Sequence, residues 1–263
     1  PRVHHLSTTT RIGQSGARNL GIDAASGRFL AFQDSDDVWE DNKLEVQLRV
    51  MTEAPGADVA AVGCGWVSSN GSRRVPPNPA RSYVAGDVLR GCVTGTGTPM
   101  LLLDRQVADG GVRFDTSFPA FEERDYLLRS LRGARLLVAP QLLVRVGRGR
   151  ADHVASAVRA MAGYERFLTK YSSELAQMVR VRDWYRYMSM REALRAGRTD
   201  IAREHYRAIS SGRGVRLRIE YLLGRAAGRR GLAVASRLHV RPDWSDRCAD
   251  RRLGVVHGLT SGR

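Results

Sequence analysis

The sequence predicts an α/β domain followed by a C-terminal α-helical appendage, on three observations. A short apolar run, Phe29 to Gln33, reads as a buried strand and runs straight into Asp34, Asp36 and Asp37. In open α/β sheets, ligands bind just beyond the carboxyl ends of strands, which is where these acids would stand. Before that run, Val3 to Leu6 reads as a strand and Gly16 to Ala25 as a helix, giving a strand–helix–strand crossover unit. From Ala155 onward the texture changes, and apolar residues recur at helical spacing: Val158, Met161, Tyr164, Phe167 and Leu168. The expected boundaries are a core over 1–153, helices over 154–239 and a disordered tail over 240–263.

Each element has a local reason. Ser7 to Ser15 is a polar loop. The first helix turns Ala17, Leu20, Ile22 and Ala24 inward, and Gly27 stops it. Asp41 or Asn42 caps a second helix reaching about Glu53, with Leu44, Val46, Leu48 and Met51 inward. Ala54-Pro55-Gly56 ends it. Val59 to Val67 is a strand, and the Ser, Asn, Gly, Pro and Arg content of Ser68 to Ser82 makes a mobile loop. Tyr83 to Arg90 is a short helix, Met100 to Leu103 a buried strand, and Asp104 to Val107 starts another short helix. Leu136 to Ala139 and Leu142 to Val146 are two strands that close the core. In the appendage, Glu174 to Ala196, Thr199 to Ile209 and Leu217 to Ala227 are helices. Val240 to Arg263 is Arg, Asp and Gly rich with little periodicity, hence disordered.

Composition narrows the function classes. The chain has 263 residues, 43% of them hydrophobic, enough for a substantial core. No apolar run approaches the roughly 18 residues of a membrane span, and Pro1 to Leu6 has no signal-peptide core. Cys64, Cys92 and Cys248 are odd in number and widely spaced, which suggests a reducing compartment without a disulfide framework. The net charge of +15 would ordinarily suggest nucleic acid or an anionic membrane. Lysine occurs only at Lys43 and Lys170, however, and Arg, Ala and Gly enrichment together match the codon bias of GC-rich coding. The charge therefore carries no case for nucleic acid, and no aromatic–basic platform for single strands is present. The second appendage helix carries Trp184, Tyr185, Tyr187 and Met188 among arginines. That stripe reads either as core or as a face for an anionic membrane, and Arg213 to Arg230 is the most basic stretch.

The acids carry the chemistry. On extended backbone Asp34 and Asp36 point the same way. Converging carboxylates repel unless a cation lies between them, and hard oxygen donors suit Mg²⁺ or Mn²⁺. Alone, D-S-D-D reads as an acidic turn capping the next helix. A second acidic group, Glu122, Glu123 and Asp125, alone reads as a helix N-terminus stabilised against its dipole.

Context changes both readings. The block from Gly16-Ala17-Arg18-Asn19 through Asp34-Ser35-Asp36-Asp37-Val38-Trp39 to Lys43-Leu44 and Gln47-Leu48 closely resembles glycosyltransferase family 2, nucleotide-sugar enzymes of the Rossmann-like GT-A fold. Gly110 to Asp115 resembles that family's G-x-F-D signature. Glu122, Glu123 and Asp125 fall on its E-D-x-D-L-x-L-R pattern, with Glu123 where Asp is usual. The resemblance implies that Asp36 ligates Mn²⁺ or Mg²⁺ on the donor diphosphate. It implies that Asp34 contacts the ribose or supports the metal. Arg18 and Asn19 would lie on the nucleotide side. Glu123, or failing that Glu122, would be the base of one inverting displacement. Asp37 would cap or orient the turn, Asp125 would match the later acid, and His153 would lie near the phosphates. The implied donor is a nucleotide-diphosphate sugar, most simply a UDP-sugar. The implied acceptor is lipid-linked or a glycan, met in the cytoplasm at the inner face of the plasma membrane. The basic helical tail itself, Arg213 to Arg230, is where peripheral membrane contact is expected, and the discounted charge leaves no nucleic-acid partner. The resemblance starts at the family's third strand, so the expected domain is N-terminally truncated. Two rivals remain: a basic, non-enzymatic binding module, and an inactive truncated glycosyltransferase.

Overall fold

The computed structural model describes residues 3–69, 71–74, 81–106, 111–147, 153–211 and 214–238, apart from the His153 side chain. The described residues fall into two compact units, one of the described residues within 1–117 and 122–147, the other of those within 118–121 and 153–238. The expected disorder of 240–263, Cys248, and parts of the 68–82 loop lie outside the described residues.

The first unit is built on a mixed sheet. Its strands are β1 (Phe29–Ala31), β2 (Val38–Trp39), β3 (Val59–Ser68), β4 (Arg73–Arg74), β5 (Leu102–Asp104) and β6 (Arg135–Val146). They run in the order β1-β5-β3-β6-β2, with β4 beside β3. The parallel pair β3–β6 is the spine, and every other pairing is antiparallel. Parallel strands are buried on both faces and read as continuous apolar runs. The first seven residues of β3, Val59 to Gly65, are accordingly all buried. The two strands expected over 136–146 are one strand with an irregularity. Ala139 pairs with Cys64 and Leu142 with Gly65, so Pro140 and Gln141 bulge out. Proline has no N–H to donate, which is why the ladder slips there.

Val3 to Leu6 is not a strand. These residues are exposed and irregular, and β1 pairs antiparallel with β5 rather than completing a parallel crossover. A strand persists only through a ladder partner and a buried face, and this run has neither.

Among the described residues, the helices and helical turns of this unit whose bounds are defined are, in chain order, α1 (Gly13–Ala24), α2 (Lys43–Glu53), α3 (Ala85–Leu89), a 3₁₀ turn (Thr98–Met100) and α4 (Glu122–Ser130). Two of them face inward differently from expectation. In α1, Ala17 and Ala24 face solvent, while Ser15 and Ile22 are buried and Arg18 and Asn19 are half-buried. Positions i, i+3, i+4 and i+7 share one helix face, so α1 presents a polar face to its unit. In α2, Leu44 and Leu48 are exposed, whereas Lys43, Gln47 and Met51 are buried. The Gln47 amide explains its burial: Nε2 donates to the carbonyls of Val62 and Met100, both at 2.7 Å. Lys43 Nζ donates to Gln47 Oε1 at 2.7 Å and sits 4.1 Å from the centre of the Trp39 ring. Burial of the ammonium pulls the Lys43 pKa down to about 8, and burial pushes the nearby Cys64 thiol up to about 11. Hydrogen bonding thus outranks side-chain apolarity in choosing the inward face.

The second unit is helical: α5 (His153–Lys170), α6 (Ser172–Ala176), α7 (Val179–Arg195), α8 (Thr199–Ala208) and α9 (Val215–Arg237). The aromatic stripe of α7 is core. Tyr185 and Tyr187 are buried, Tyr185 stacks 5.3 Å from Phe167, and Trp184 and Met188 pack against the buried cluster. Helix α9 runs past the expected end at Ala227 but breaks there. Gly228 has φ 50°, and the chain turns so that Gly231 lies against the Leu223 carbonyl, where a Cβ would collide. Positive φ and that close approach both need glycine.

Asp183 ties this unit together. Its Oδ2 accepts from the backbone N–H and the hydroxyl of both Ser210 and Ser211, at 2.6 to 2.9 Å. Its Oδ1 pairs with Arg186 at 3.2 Å. Burial alone would raise this carboxyl; the four serine donors overturn that and hold it below the usual range. A depressed carboxylate pKa gives stability that is present above the unfolded value of about 3.9 and lost as pH falls through the folded value. Asp183→Ala leaves the turn donors and Arg186 without their acceptor. Urea denaturation at neutral pH should show a loss of about 3 kcal/mol. A loss within 0.5 kcal/mol, the usual range for neutral surface changes, would show that the network does not stabilise the fold.

Candidate active site

The acidic segment after β1 does not cap a helix. Asp37 N–H donates to the Asp34 carbonyl at 3.1 Å, closing a tight turn, and β2 follows before α2 begins at Lys43. The residue before α2 is Asn42, and it makes no side-chain cap. The capped-turn reading of D-S-D-D therefore has no counterpart in the fold.

The three aspartates have separate environments. Asp37 is buried, and its Oδ1 accepts from the Gly147 N–H at 2.9 Å. Burial raises its pKa, the Gly147 bond opposes that, and the charges of Asp36 and Asp34 add to the rise. Gly147 lies so close to Asp36 that a Cβ would collide with the Asp36 carbonyl oxygen. The turn is thus locked to the end of β6 from both sides. Asp34 keeps 41% of its side chain exposed, and its Oδ1 accepts from Arg18 Nη2 at 3.1 Å. Asp36 is exposed and has no side-chain partner among the described residues.

Arg18 joins this turn to the second acidic group. While Nη2 holds Asp34, Nη1 donates to Glu122 Oε1 at 2.6 Å. The guanidinium also lies 5.5 Å from the centre of the Phe114 ring. Gln14, one turn earlier on α1, donates to the same Glu122 oxygen at 2.6 Å. Residues four apart share a helix face, so Gln14 and Arg18 reach Glu122 together. Gln14 escaped the sequence reading, although its i, i+4 relation to Arg18 was the available signal.

Glu122 is therefore engaged by two donors, and its neighbour Glu123 differs from it. The Glu123 carboxyl pKa is raised, chiefly by burial and next by the charge on Glu122, against weaker opposing effects of a backbone donor, Arg124 and Arg18. Glu122 and Glu123 open α4, with Asp125 one residue beyond Arg124. The preceding residue, Phe121, has φ 65°, a left-handed conformation that costs a non-glycine residue roughly 1–2 kcal/mol. No pattern in the sequence announces it. Asp125 is fully buried and turns to Arg129, with Oδ2 accepting from Nε and Nη2 at 2.9 and 2.8 Å. Asn19 does not project freely either. It accepts from the Phe114 N–H at 2.7 Å and donates to the Phe114 carbonyl at 2.9 Å. That two-way clamp carries the Gly111–Asp115 segment on α1. His153 begins α5, and its side chain lies outside the described residues.

The fold thus brings together Arg18, Asp34, Asp36, Asp37, Glu122 and Glu123, with Asn19 and Asp125 in supporting contacts. Asp36 and the free oxygen of Asp34, two residues apart, are hard oxygen donors of the type that divalent cations take. Among the described residues no group of three or more His, Cys, Asp or Glu side chains suits a metal ion.

The family described as "Glycosyl transferase family 2" matches residues 1–108. UDP-Glc:alpha-D-GlcNAc-diphosphoundecaprenol beta-1,3-glucosyltransferase WfgD of Escherichia coli is 32% identical over 128 residues, 48% of this chain and 47% of that protein. Succinoglycan biosynthesis protein ExoO of Rhizobium meliloti is 28% identical over 214 residues, 73% of this chain and 60% of that protein. The chain spans about half the length of the curated relatives it matches. Among solved structures, S. aureus TarS aligns with a TM-score of 0.48 and 14% identity, over 84% of this chain and 42% of that one.

Proposed function

Residues 1–108 belong to glycosyl transferase family 2, and on that premise we propose that the chain transfers a sugar from a nucleotide-diphosphate sugar to a lipid-linked or polysaccharide acceptor. The supporting observation is the Arg18 bridge, which bonds Asp34 and Glu122 at once and so draws two distant acidic motifs into one site. In this reading, residues 1–153 form the transferase core and 154–239 the helical appendage.

Asp36, assisted by Asp34, would hold Mn²⁺ or Mg²⁺. When bound, the ion supplies Lewis-acid neutralisation of charge on the departing diphosphate. Arg18 fixes Asp34 and Glu122 in place and lies on the nucleotide side. Glu123 takes the proton from the acceptor hydroxyl as that oxygen attacks the anomeric carbon. Direct displacement inverts the carbon. The raised pKa of Glu123 suits the task, because a base works best when its pKa approaches the working pH. Glu122 holds charge beside it and is itself held by Gln14 and Arg18. The relatives named above include a UDP-glucose enzyme with a diphosphoundecaprenol-linked acceptor. This chain's donor is proposed to be a UDP-sugar, with its acceptor met at the inner face of the plasma membrane.

Titration calorimetry with UDP-sugars, with and without Mn²⁺, tests the reading. Saturable heat that requires Mn²⁺ is expected for at least one sugar. No heat with any nucleotide sugar, alongside strongly salt-dependent nucleic-acid binding, would replace the transferase with a basic binding module.

A further inference from the structure

We infer that the solvent face of α9 is a docking surface for an anionic lipid bilayer. The inference specifies how a membrane-bound acceptor would be approached, but it rests on α9 alone and stands or falls separately from sugar transfer.

The two arginine-rich helices of the second unit treat their charges differently. On α7 the arginines from Arg182 onward are paired within the fold, Arg182 with Asp183 at 3.7 Å among them. Arg186 pairs with Asp183 at 3.2 Å, Arg191 with Glu220 at 2.9 Å and Arg195 with Glu192 at 2.7 Å. On α9, Arg216, Arg218, Arg225, Arg229, Arg230 and Arg237 are all exposed, and none has an ion pair among the described residues. The one acid of α9, Glu220, is fully buried and accepts from the Tyr187 hydroxyl at 2.8 Å. Codon bias would enrich both helices alike; it would not leave one of them uncompensated.

Exposed apolar side chains lie among these arginines: Val215 is 74% exposed and Leu222 48% before the break at Ala227–Gly228, and Val234 and Leu238 are exposed after it. The opposite face, including Leu217, Tyr221, Gly224 and Leu232, is buried. The break at Ala227–Gly228 turns the second half back on the first, so that Gly231 packs against Leu223 and Leu232 against Gly224. Arg225, Arg229 and Arg230 flank that corner.

Unpaired arginines interleaved with exposed aliphatic residues describe a surface that lies in the headgroup region: guanidinium groups meet lipid phosphates while the aliphatic groups enter the acyl boundary. A nucleic acid fits less well, because α9 exposes no aromatic ring on which a base could stack. The C-terminal residues 239–263 are no electrostatic match, having five arginines against three aspartates. No described helix is long and apolar enough to cross a membrane, so contact through α9 would be peripheral.

Vesicle co-sedimentation of the full chain tests this. The wild type should partition onto vesicles of phosphatidylcholine and phosphatidylglycerol in equal parts, remain free with pure phosphatidylcholine, and dissociate at high salt. Each lost cation should weaken binding roughly fivefold, so the Arg225→Glu/Arg229→Glu/Arg230→Glu variant should bind at least about 100-fold more weakly. Its thermal melt reports whether it folds. If it does not, Leu222→Ser/Val234→Ser takes its place, with a loss of about tenfold expected from the lost apolar insertion. Equal partition of the folded variant and the wild type overturns the inference. So does wild-type indifference to phosphatidylglycerol, or tighter binding to a DNA or RNA oligonucleotide at equal phosphate. Calorimetry of nucleotide sugars in vesicle-free buffer is untouched by any of these results.

Discussion

Asp36→Ala is expected to lower sugar transfer by at least about 10²-fold at saturating Mn²⁺, since Lewis-acid stabilisation is worth several kcal/mol. The side chain is exposed and has no partner among the described residues, so its loss removes no contact that holds the fold. Thermal melting of the variant should match the wild type. This separates it from Asp37→Ala, which would remove the acceptor for the Gly147 N–H and loosen the turn. Calorimetry should show the Mn²⁺-dependent part of donor binding disappear in Asp36→Ala while Asp34 and Arg18 remain bonded. Wild-type turnover by Asp36→Ala would remove Asp36 from the metal role and leave the turn as scaffold.

Glu123→Gln should be about as damaging, lowering kcat by about 10²- to 10⁴-fold with a smaller effect on donor binding. The amide keeps the size of the side chain and cannot take a proton. In the wild type, the rate should climb with pH through an inflection above the ordinary glutamate range, because burial and the charge on Glu122 hold the Glu123 proton on. The sign for stability is opposite to that of a paired carboxylate. A folded-state pKa raised above the unfolded value means the folded state holds the extra proton, so this group's contribution falls as pH rises through that interval. Glu123→Gln should therefore be as stable as the wild type at neutral pH, or more stable. A variant that loses both activity and stability would indicate a structural role. A variant with undiminished kcat and an unchanged pH profile would move the base to Glu122 or elsewhere. Glu122→Gln is the companion measurement, and it should act through geometry, since Gln14 and Arg18 both bond to Oε1.

Several features were legible because they depend on neighbours in sequence. The Phe29 run, the long β3 segment, helices α5 and α8 and the end of a helix at Ala227 follow from local period and composition, whereas the single helix expected over 174–196 is two, α6 and α7, separated at Gln177 and Met178. So did the acidic segments, whose spacing singled them out before any fold was known. Other features were not legible, for physical reasons that local pattern does not contain. Leu44 and Leu48 fit an inward face by period, yet Lys43 and Gln47 took it because two carbonyls needed donors. Val3 to Leu6 had the composition of a strand but no ladder to join. The 136–146 segment looked like two strands because Pro140 interrupts a ladder that long-range pairing with β3 carries through.

What the sequence alone determined is the chemistry on offer: which segments are apolar enough to be buried, and which acids and arginines recur at motif spacing. Tertiary structure alone decided their partners. It assigned Arg18 to both Asp34 and Glu122, committed Asn19 to Phe114 and Asp125 to Arg129, and left Asp36 uncommitted. It paired four arginines of α7 and, among the described residues, left those of α9 without an ion pair. Spacing along a chain sets which side of an element a residue takes; whether a charge is then neutralised, buried or free depends on what distant segments place opposite it.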